Sequence, residues 1–347
     1  MKADIDANPA LMKATGSTLG GAPTDPDRFH ETDLMEREAE WGAAGFQLQF
    51  MLDTSLSDAE RFPLKTRDLI VMDVPPEVAP VRVAWGAAPE KVHKDLDNVG
   101  FDGDRLYAPI FTSADFQPFS GSVMDIDPSG RGSDETAYIV TKFLNGVVFI
   151  RRWGGFRDGH SEATLRRLAE IAKEEKVNLV RAEGNFGDGM FLRLLEPHLR
   201  AVGYPVATED HKVSGQKEVR MMGLIRPALQ QHRIVIDTTV VRDDLQSAKR
   251  AAQLLKGSDR GSSMETSGLY QLTHLTEARG ALKHDDRLDV LAHALAYWSS
   301  RMNADAHEAE LKLKEAQDRE FERLIFQTQV IPVHSRRKTG RGRGRRR

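Results

Sequence analysis

SVMDIDPSGRGSDETAYIVT, residues 122–141, predicts a β-strand that ends in acids, a glycine-rich turn and a second strand that runs back. Side chains alternate along a strand, so Val123, Asp125 and Asp127 share one face. Carboxylates on one face repel each other unless a cation lies between them. A divalent metal ion is one candidate for that cation, and a solvated turn without a ligand is the alternative.

The composition is that of a globular protein with a polar surface. The chain has 347 residues, of which 40% are hydrophobic and 29% are charged, and this length predicts about two domains. Cysteine is absent, which excludes disulfide frameworks, thiolate zinc sites and cysteine nucleophiles. No apolar run approaches the roughly 18 residues of a membrane span, and the beginning MKADIDANPA lacks the apolar core of a signal peptide. We therefore expect a protein of the cytoplasm with no membrane partner.

Charge is distributed unevenly along the chain. The formal net charge is -3, but residues 336–347 contain eight basic residues and no acid. The body is therefore acidic, and the tail is a cationic low-complexity segment that we expect to be disordered when free. This asymmetry favours a nucleic acid or an acidic protein as partner, and Arg336, Arg337 and Lys338 are candidate contacts to DNA.

The order of the patterns predicts four segments. Residues 1–74 are expected to contain an irregular N-terminus and a helical linker, and residues 75–303 the main α/β domain. Residues 304–333 are expected to form a helical extension, and residues 334–347 the basic tail. Within the main domain we expect a mixed sheet, in which a three-strand antiparallel meander is followed by alternating helices and strands. An Asn-Gly dipeptide predicts the hairpin between the second and third strands of the meander.

Three groups of acids stand at comparable structural places. Asp125 and Asp127 end the first strand, Glu183 ends a later strand, and a helix with an apolar stripe begins at Asp285 and Asp286. Because strand ends and helix N-termini gather at one edge of an α/β sheet, we expect these acids to lie together. Carboxylates from separate elements are ligands that Mg²⁺ and Mn²⁺ prefer. Each group also has an ordinary explanation, as a helix cap, a solvated strand end or an ion pair with a neighbouring cation.

Three motifs in order, DIDPSGRGSDETAYIV, VRAEGNFGDGMF and KHDDRLDVLAHALAYW, resemble the nuclease domain of large terminases. Large terminases are DNA-packaging proteins of tailed bacteriophages, and the likeness is to those of short-tailed phages in particular. The resemblance extends over residues 28–301 and implies a ribonuclease H-like fold. Large terminases also carry a packaging ATPase, whereas no GxxxxGKS or GxxxxGKT loop occurs in this sequence. We therefore expect no nucleotide to bind this chain alone.

The resemblance also implies a centre with two Mg²⁺ or Mn²⁺ ions. The catalytic and metal-binding residues that it implies are Asp127, Glu183, Asp285 and Asp286, with Asp125 as a further candidate ligand. Asp134 and Asp289 are the implied auxiliary acids. Lys217 and Arg220 lie three positions apart on one predicted helix and are candidates for contacts to the phosphate backbone, with two solvated helix charges as the alternative.

The function that these features favour is a metal-dependent endonuclease that cuts double-stranded viral DNA during genome packaging. Expected partners are double-stranded DNA, the portal and the small terminase subunit. Two alternatives remain open from the sequence. One is an ATPase of the actin and sugar-kinase type, which also begins with three antiparallel strands and an acid near a glycine turn. The other is a docking module for the packaging machinery without catalytic activity.

Overall fold

The computed structural model describes residues 61–302, except 102, 130–133, 185–188 and 255–263, together with residues 28, 30, 33, 34, 37 and 304. The chain divides into two compact units, Met1–Phe62 and Pro63–Arg347, and the elements below lie in the second. The predicted helical extension and basic tail lie outside the described residues, apart from residue 304. No helix in the described part of the chain has the length and apolar character needed to cross a membrane.

Eleven strands and six α-helices are found in the described part of the second unit. The strands are β1 (Ile70–Met72), β2 (Val78–Pro80), β3 (Val83–Ala84), β4 (Phe111–Thr112), β5 (Phe116–Pro118), β6 (Gly121–Asp127), β7 (Thr136–Leu144), β8 (Val147–Phe156), β9 (Leu179–Glu183), β10 (Ala207–His211) and β11 (Ile234–Asp237). The helices are α1 (Glu162–Glu174), α2 (Met190–Ala201), α3 (Lys217–Gln230), α4 (Thr238–Leu254), α5 (Gly268–His274) and α6 (residues 286–302). Two short 3₁₀ helices cover Thr66–Asp68 and Pro89–Lys91.

Seven of these strands form one mixed sheet in the order β1-β11-β8-β7-β6-β9-β10. The strands β6, β7 and β8 pair antiparallel, as the predicted meander requires. The strands on both sides of the meander add in parallel, β9 and β10 beyond β6, and β11 and β1 beyond β8. The predicted α/β class and the meander followed by alternating helices and strands are therefore confirmed. The remaining four strands form two small antiparallel pairs.

The hairpin between β7 and β8 has the backbone that its Asn-Gly dipeptide predicts. Asn145 has φ 48° and Gly146 has φ 78°. Positive φ at both central positions is the requirement of a type I′ turn, whose twist matches that of paired strands. This tight turn connects β7 directly to β8, and the two strands pair as antiparallel neighbours.

The sheet is covered by helices on both faces. Val123 belongs to the core under α3, α4, α5 and α6, whereas Met124 and Ile126 belong to the core under α1 and α2. The alternation predicted for β6 is therefore confirmed. The apolar stripe of α6 faces the sheet, and its members Leu288, Leu291, Ala292, Leu295 and Trp298 are buried.

The first strand belongs to the sheet, although its sequence lies in the segment expected to precede the main domain. Strand β1 pairs in parallel with β11, with Met72 opposite Asp237. Just after β1, the backbone N–H of Val74 donates to Asp237 Oδ2 over 2.8 Å, and Arg151 Nη1 lies 2.5 Å from the same oxygen. The sheet thus begins before residue 75. The sequence does not show this, because the pairing partner of β1 lies more than a hundred residues further along the chain.

Candidate metal centre

Three neighbouring parallel strands end together at one edge of the sheet. In the register, Ile126 of β6 lies beside Ala182 of β9, and Glu183 lies beside His211 of β10. Asp127 follows Ile126, so Asp127, Glu183 and His211 close the three strands in one row. The sequence predicts the two acids at this edge. It does not predict His211 there, because the polar sequence of β10 carries no clear strand pattern.

Helices α6 and α3 bring more charged groups to the same edge. Lys217 Nζ on α3 lies 2.8 Å from Asp285 Oδ1, just before α6, and 3.1 Å from Asp289 Oδ2. Arg220 Nη2 lies 2.6 Å from Asp289 Oδ1. Lys217 and Arg220 therefore share a face of α3, as their spacing predicts, and they form ion pairs with acids of α6. Their predicted contact with DNA phosphates stays a prediction.

The carboxyl groups of Asp127 and Glu183 lie close enough for each to shift the pKa of the other. Burial and the nearby carboxylates of Asp289, Glu183 and Asp286 hold the pKa of Asp127 well above its usual range, although Lys217 acts in the opposite direction. Burial and Asp289 likewise raise the pKa of Glu183. Without a further cation the two strand-end acids resist simultaneous ionisation, and a divalent cation is the type of ligand that removes this repulsion.

A second group of possible ligands lies at the N-terminus of α6. Ligand atoms of Asp134, His284 and Asp286 lie within 4.8 Å of one another. The backbone N–H of Glu135 donates to Asp286 Oδ2 over 3.3 Å. Burial raises the pKa of Asp286 to about 6, and the carboxylates of Asp285 and Asp134 act in the same direction. The predicted auxiliary acid Asp134 is therefore a neighbour of Asp286.

Asp289 lies closer to the strand ends than its predicted auxiliary role requires. Ligand atoms of Glu183, Asp289 and His293 lie within 4.8 Å of one another, and Asp289 and His293 are buried. Asp289 was expected to be auxiliary, yet it is a stronger electrostatic neighbour of Asp127 than Asp286 is. The spacing of four between Asp289 and His293, one helical turn, is the sequence signal that could have identified the histidine.

Asp125, the further candidate ligand, has a cation partner of its own. Its side chain is fully buried, and Arg181 on β9 donates to it over 2.7 Å. The guanidinium of Arg181 also lies over the ring of Tyr297 on α6, 4.8 Å from its centre. Asp125 lies two residues before the end of β6 and forms an ion pair with Arg181, so the geometry does not support a metal-binding role for it.

A buried arginine ties the start of α6 to its surroundings. Arg287 Nε donates to Glu135 Oε2 over 2.9 Å, and its Nη1 donates to Asp244 Oδ1 on α4 over 2.8 Å. The backbone carbonyl of Arg287 accepts a 2.7 Å hydrogen bond from the indole of Trp153. Because Glu135 also contacts Asp286, these bonds fix the N-terminus of α6 against the meander.

The sequence matches a family of protein domains and also a curated relative. Residues 126–234 match the family described as "Terminase Bacteriophage T7, Ribonuclease H-like domain". The chain is also 42% identical, over 317 residues, to the large terminase subunit of Enterobacteria phage T3. That match covers 91% of this chain and 52% of the relative, so the chain spans about half the length of the curated relative it matches.

Solved structures with similar folds include two terminase nuclease domains. One is the human cytomegalovirus terminase nuclease domain, soaked with Mn and bound to an inhibitor, with 12% identity, a TM-score of 0.35, and coverage of 52% of this chain and 83% of that chain. The other is the nuclease domain of the large terminase subunit of bacterial virus Sf6, with 11% identity, a TM-score of 0.29, and coverage of 45% and 87%.

Proposed function

Because this chain belongs with the bacteriophage large terminases through its ribonuclease H-like domain, we propose that it cuts double-stranded viral DNA during genome packaging. The observation that carries the proposal is the placement of Asp127 and Glu183 at the ends of neighbouring parallel strands, with ligand atoms of Glu183, Asp289 and His293 within 4.8 Å of one another. Carboxyl groups at two neighbouring strand ends, with acids of α6 around them, form a set of oxygen donors suited to Mg²⁺ or Mn²⁺.

Two positions for divalent ions are compatible with these donors. Asp127 with Glu183 and Asp289 would hold one ion, and Asp127 with Asp286 would hold the other. Ions there supply activation of water and neutralisation of the charge that develops on the phosphodiester. Ligand atoms of Asp286, Asp134 and His284 lie within 4.8 Å of one another, so we favour Asp286 over Asp285 as the ligand.

The remaining charged side chains orient the acids and meet the DNA backbone. Without a bound ion, Arg220 holds one carboxylate oxygen of Asp289 and Lys217 holds the other. The side chain of Lys217 is 34% exposed, and its ammonium group can therefore also approach a phosphate at the mouth of the site.

Affinity for DNA must come from outside the acids, since a cluster of carboxylates repels phosphates. We propose that the basic residues Arg336, Arg337 and Lys338 add contacts to the DNA backbone that weaken as salt concentration rises. The portal and the small terminase subunit are the partners that we expect to position the chain on DNA. We expect this nuclease to act in the cytoplasm of the host cell and to bind no nucleotide by itself.

Asp127→Asn tests the proposal. The amide keeps the shape of the side chain but loses the charge that holds a divalent ion, so we expect nicking of supercoiled plasmid DNA with Mn²⁺ to be abolished. The matched control is Asp243→Asn on the exposed face of α4, which should cleave like the parent. Cleavage at the parental rate by folded Asp127→Asn would contradict the proposed site. A parent protein that binds DNA without cutting it would favour the docking module instead.

A further inference from the structure

A histidine side chain lies among the acids of the metal centre, almost completely buried on α6. We propose that His293 supplies a nitrogen ligand to the divalent ion held by Glu183 and Asp289, so that this position favours transition-metal ions over Mg²⁺. The inference rests on the proposed function, because it concerns the ligands of the same centre. It goes further by assigning one of the two positions a mixed nitrogen and oxygen donor set.

The three side chains lie close enough together to bind one ion after small movements. One ligand atom from each of Glu183, Asp289 and His293 lies within 4.8 Å of the others, and His293 Nε2 is 3.3 Å from Asp289 Oδ1. Metal–ligand bonds of roughly 2.0–2.2 Å place neighbouring ligand atoms about 3–4 Å apart. Small rotations of these side chains are therefore enough to surround an ion.

The Nε2 atom of His293 contacts both Arg220 and Asp289 inside the site. Its Nε2 is the partner of Arg220 Nη1 at 3.5 Å, and Arg220 can only donate. For that contact Nε2 accepts and the ring proton is on Nδ1, whereas the 3.3 Å contact with Asp289 Oδ1 requires the proton on Nε2. A divalent ion at this position would replace both contacts and select the form in which Nε2 carries no proton. A lone pair on Nε2 that faces a cation is the state in which imidazole binds a metal ion.

A cation already occupies the place between the two α6 ligands. The guanidinium of Arg220 lies 2.6 Å from Asp289 Oδ1 and also contacts His293 Nε2. A divalent ion at this position would take over both contacts from the guanidinium. The position of the Arg220 guanidinium thus shows that a positive charge fits between Asp289 and His293.

The donor set predicts a difference in metal preference. Carboxylate and water ligands suit Mg²⁺, whereas an imidazole nitrogen adds affinity for first-row transition ions. Loss of His293 should therefore weaken the binding of Mn²⁺ more than the binding of Mg²⁺. A matched control is available in His211, whose ring packs edge-on against His293 with 4.7 Å between ring centres. His211 is not among the three clustered ligands.

Pulsed electron paramagnetic resonance of the Mn²⁺-loaded full chain tests the assignment directly. A nitrogen bound to Mn²⁺ gives a characteristic ¹⁴N coupling, which we expect in the parent and in His211→Gln but not in His293→Gln. Calorimetric titration of the same proteins should show Mn²⁺ affinity reduced by roughly tenfold in His293→Gln, with Mg²⁺ affinity changed by less than about threefold.

The parent protein alone can overturn the inference, even if the variant fails to fold. Bound Mn²⁺ without ¹⁴N coupling in the parent would exclude a histidine ligand and leave the proposed nuclease function standing. Coupling that survives in folded His293→Gln would assign the nitrogen to another histidine and also overturn the inference. A parent that binds no Mn²⁺ at all would overturn the proposed metal centre itself.

Discussion

The ammonium group of Lys217 lies 2.8 Å from a carboxylate oxygen of Asp285 and joins α3 to the chain just before α6. Burial alone would lower the pKa of Lys217, but the carboxylates of Asp289, Asp285 and Asp127 outweigh it and raise that pKa. The raised pKa keeps the lysine positively charged at neutral pH. Together with Arg220 it supplies positive charge to the acid cluster without any metal ion.

Lys217→Met should make the protein more dependent on divalent ions for its stability. Without the ammonium group the acids of the centre lose a cation, so we expect the metal-free melting temperature to fall by roughly a few degrees. The increase produced by millimolar Mn²⁺ should be larger than in the parent, because the ion then relieves more repulsion. Scanning calorimetry with and without Mn²⁺ measures both effects. Lys249→Met, which breaks an exposed ion pair with Asp97, is the control and should behave like the parent.

Asp127→Asn and Glu183→Gln should each raise the metal-free melting temperature. Each change removes one of two neighbouring carboxyl groups whose pKa values are raised, and repulsion within the native state decreases. A ligand that binds only the native state stabilises it by about 2.7 kcal/mol at a hundredfold excess over Kd, so Mn²⁺ should stabilise the parent measurably. That gain should shrink in both variants. Variants that melt lower than the parent without metal, yet gain equally from Mn²⁺, would show that these acids are structural.

The metal-free protein should lose stability as pH rises through the titration of Asp286. The pKa of this group is raised by burial to about 6 in the folded protein, above its ordinary value of 3.8. The folded state therefore binds the proton more tightly than the unfolded state. Its contribution to stability is complete below the ordinary pKa and is lost as pH rises from about 4 to about 6.

Urea unfolding of the parent and of Asp286→Asn across this pH range measures the effect. The slope contributed by one group is at most about 1.4 kcal/mol per pH unit. We expect the free energy of unfolding of Asp286→Asn to depend less steeply on pH than that of the parent. Identical slopes for the two proteins would mean that Asp286 titrates normally in the folded state.

Arg287→Met should destabilise the fold strongly, with or without metal ions. The side chain is 3% exposed and contacts Glu135 and Asp244, so its loss leaves buried Asp244 without its cation and Glu135 with only the more exposed Arg157. Breaking a buried pair in this way costs about 3–5 kcal/mol. Arg157→Met removes the more exposed partner of Glu135, and we expect its free energy of unfolding to stay within about 1 kcal/mol of the parent. Equal losses in the two variants would contradict the role assigned to Arg287.

Much of the sheet could be predicted from the sequence because its signals are local. Alternation assigned the faces of β6, the Asn-Gly dipeptide fixed the β7–β8 hairpin, and an apolar stripe with a period of 3.6 located α6. These signals also placed Asp127 and Glu183 at strand ends. Acids at the ends of neighbouring parallel strands share an edge, whatever the loops between them do.

The parts that escaped prediction depend on packing between distant segments. Whether Asp285, Asp286 or Asp289 approaches the strand ends depends on how α6 lies over the sheet, which the spacing within the helix does not determine. His211 closes an edge strand whose residues, ATEDH, lack an apolar pattern, so the sequence carries no strand signal at this histidine. Asp125 could not be distinguished from a metal ligand until Arg181 was placed beside it by the register of β6 and β9.

The position of β1 determines where the chain can be shortened. A protein that begins at residue 75 would lack β1 and would expose the backbone N–H and C=O groups of β11 along one border of the sheet. Such a border is a template for another chain to pair with, and self-association by strand addition is its usual result. Truncation there would also remove Val74, which donates to the Asp237 carboxylate. Strand β1 thus covers the backbone groups of β11, although it contributes no residue to the acid cluster.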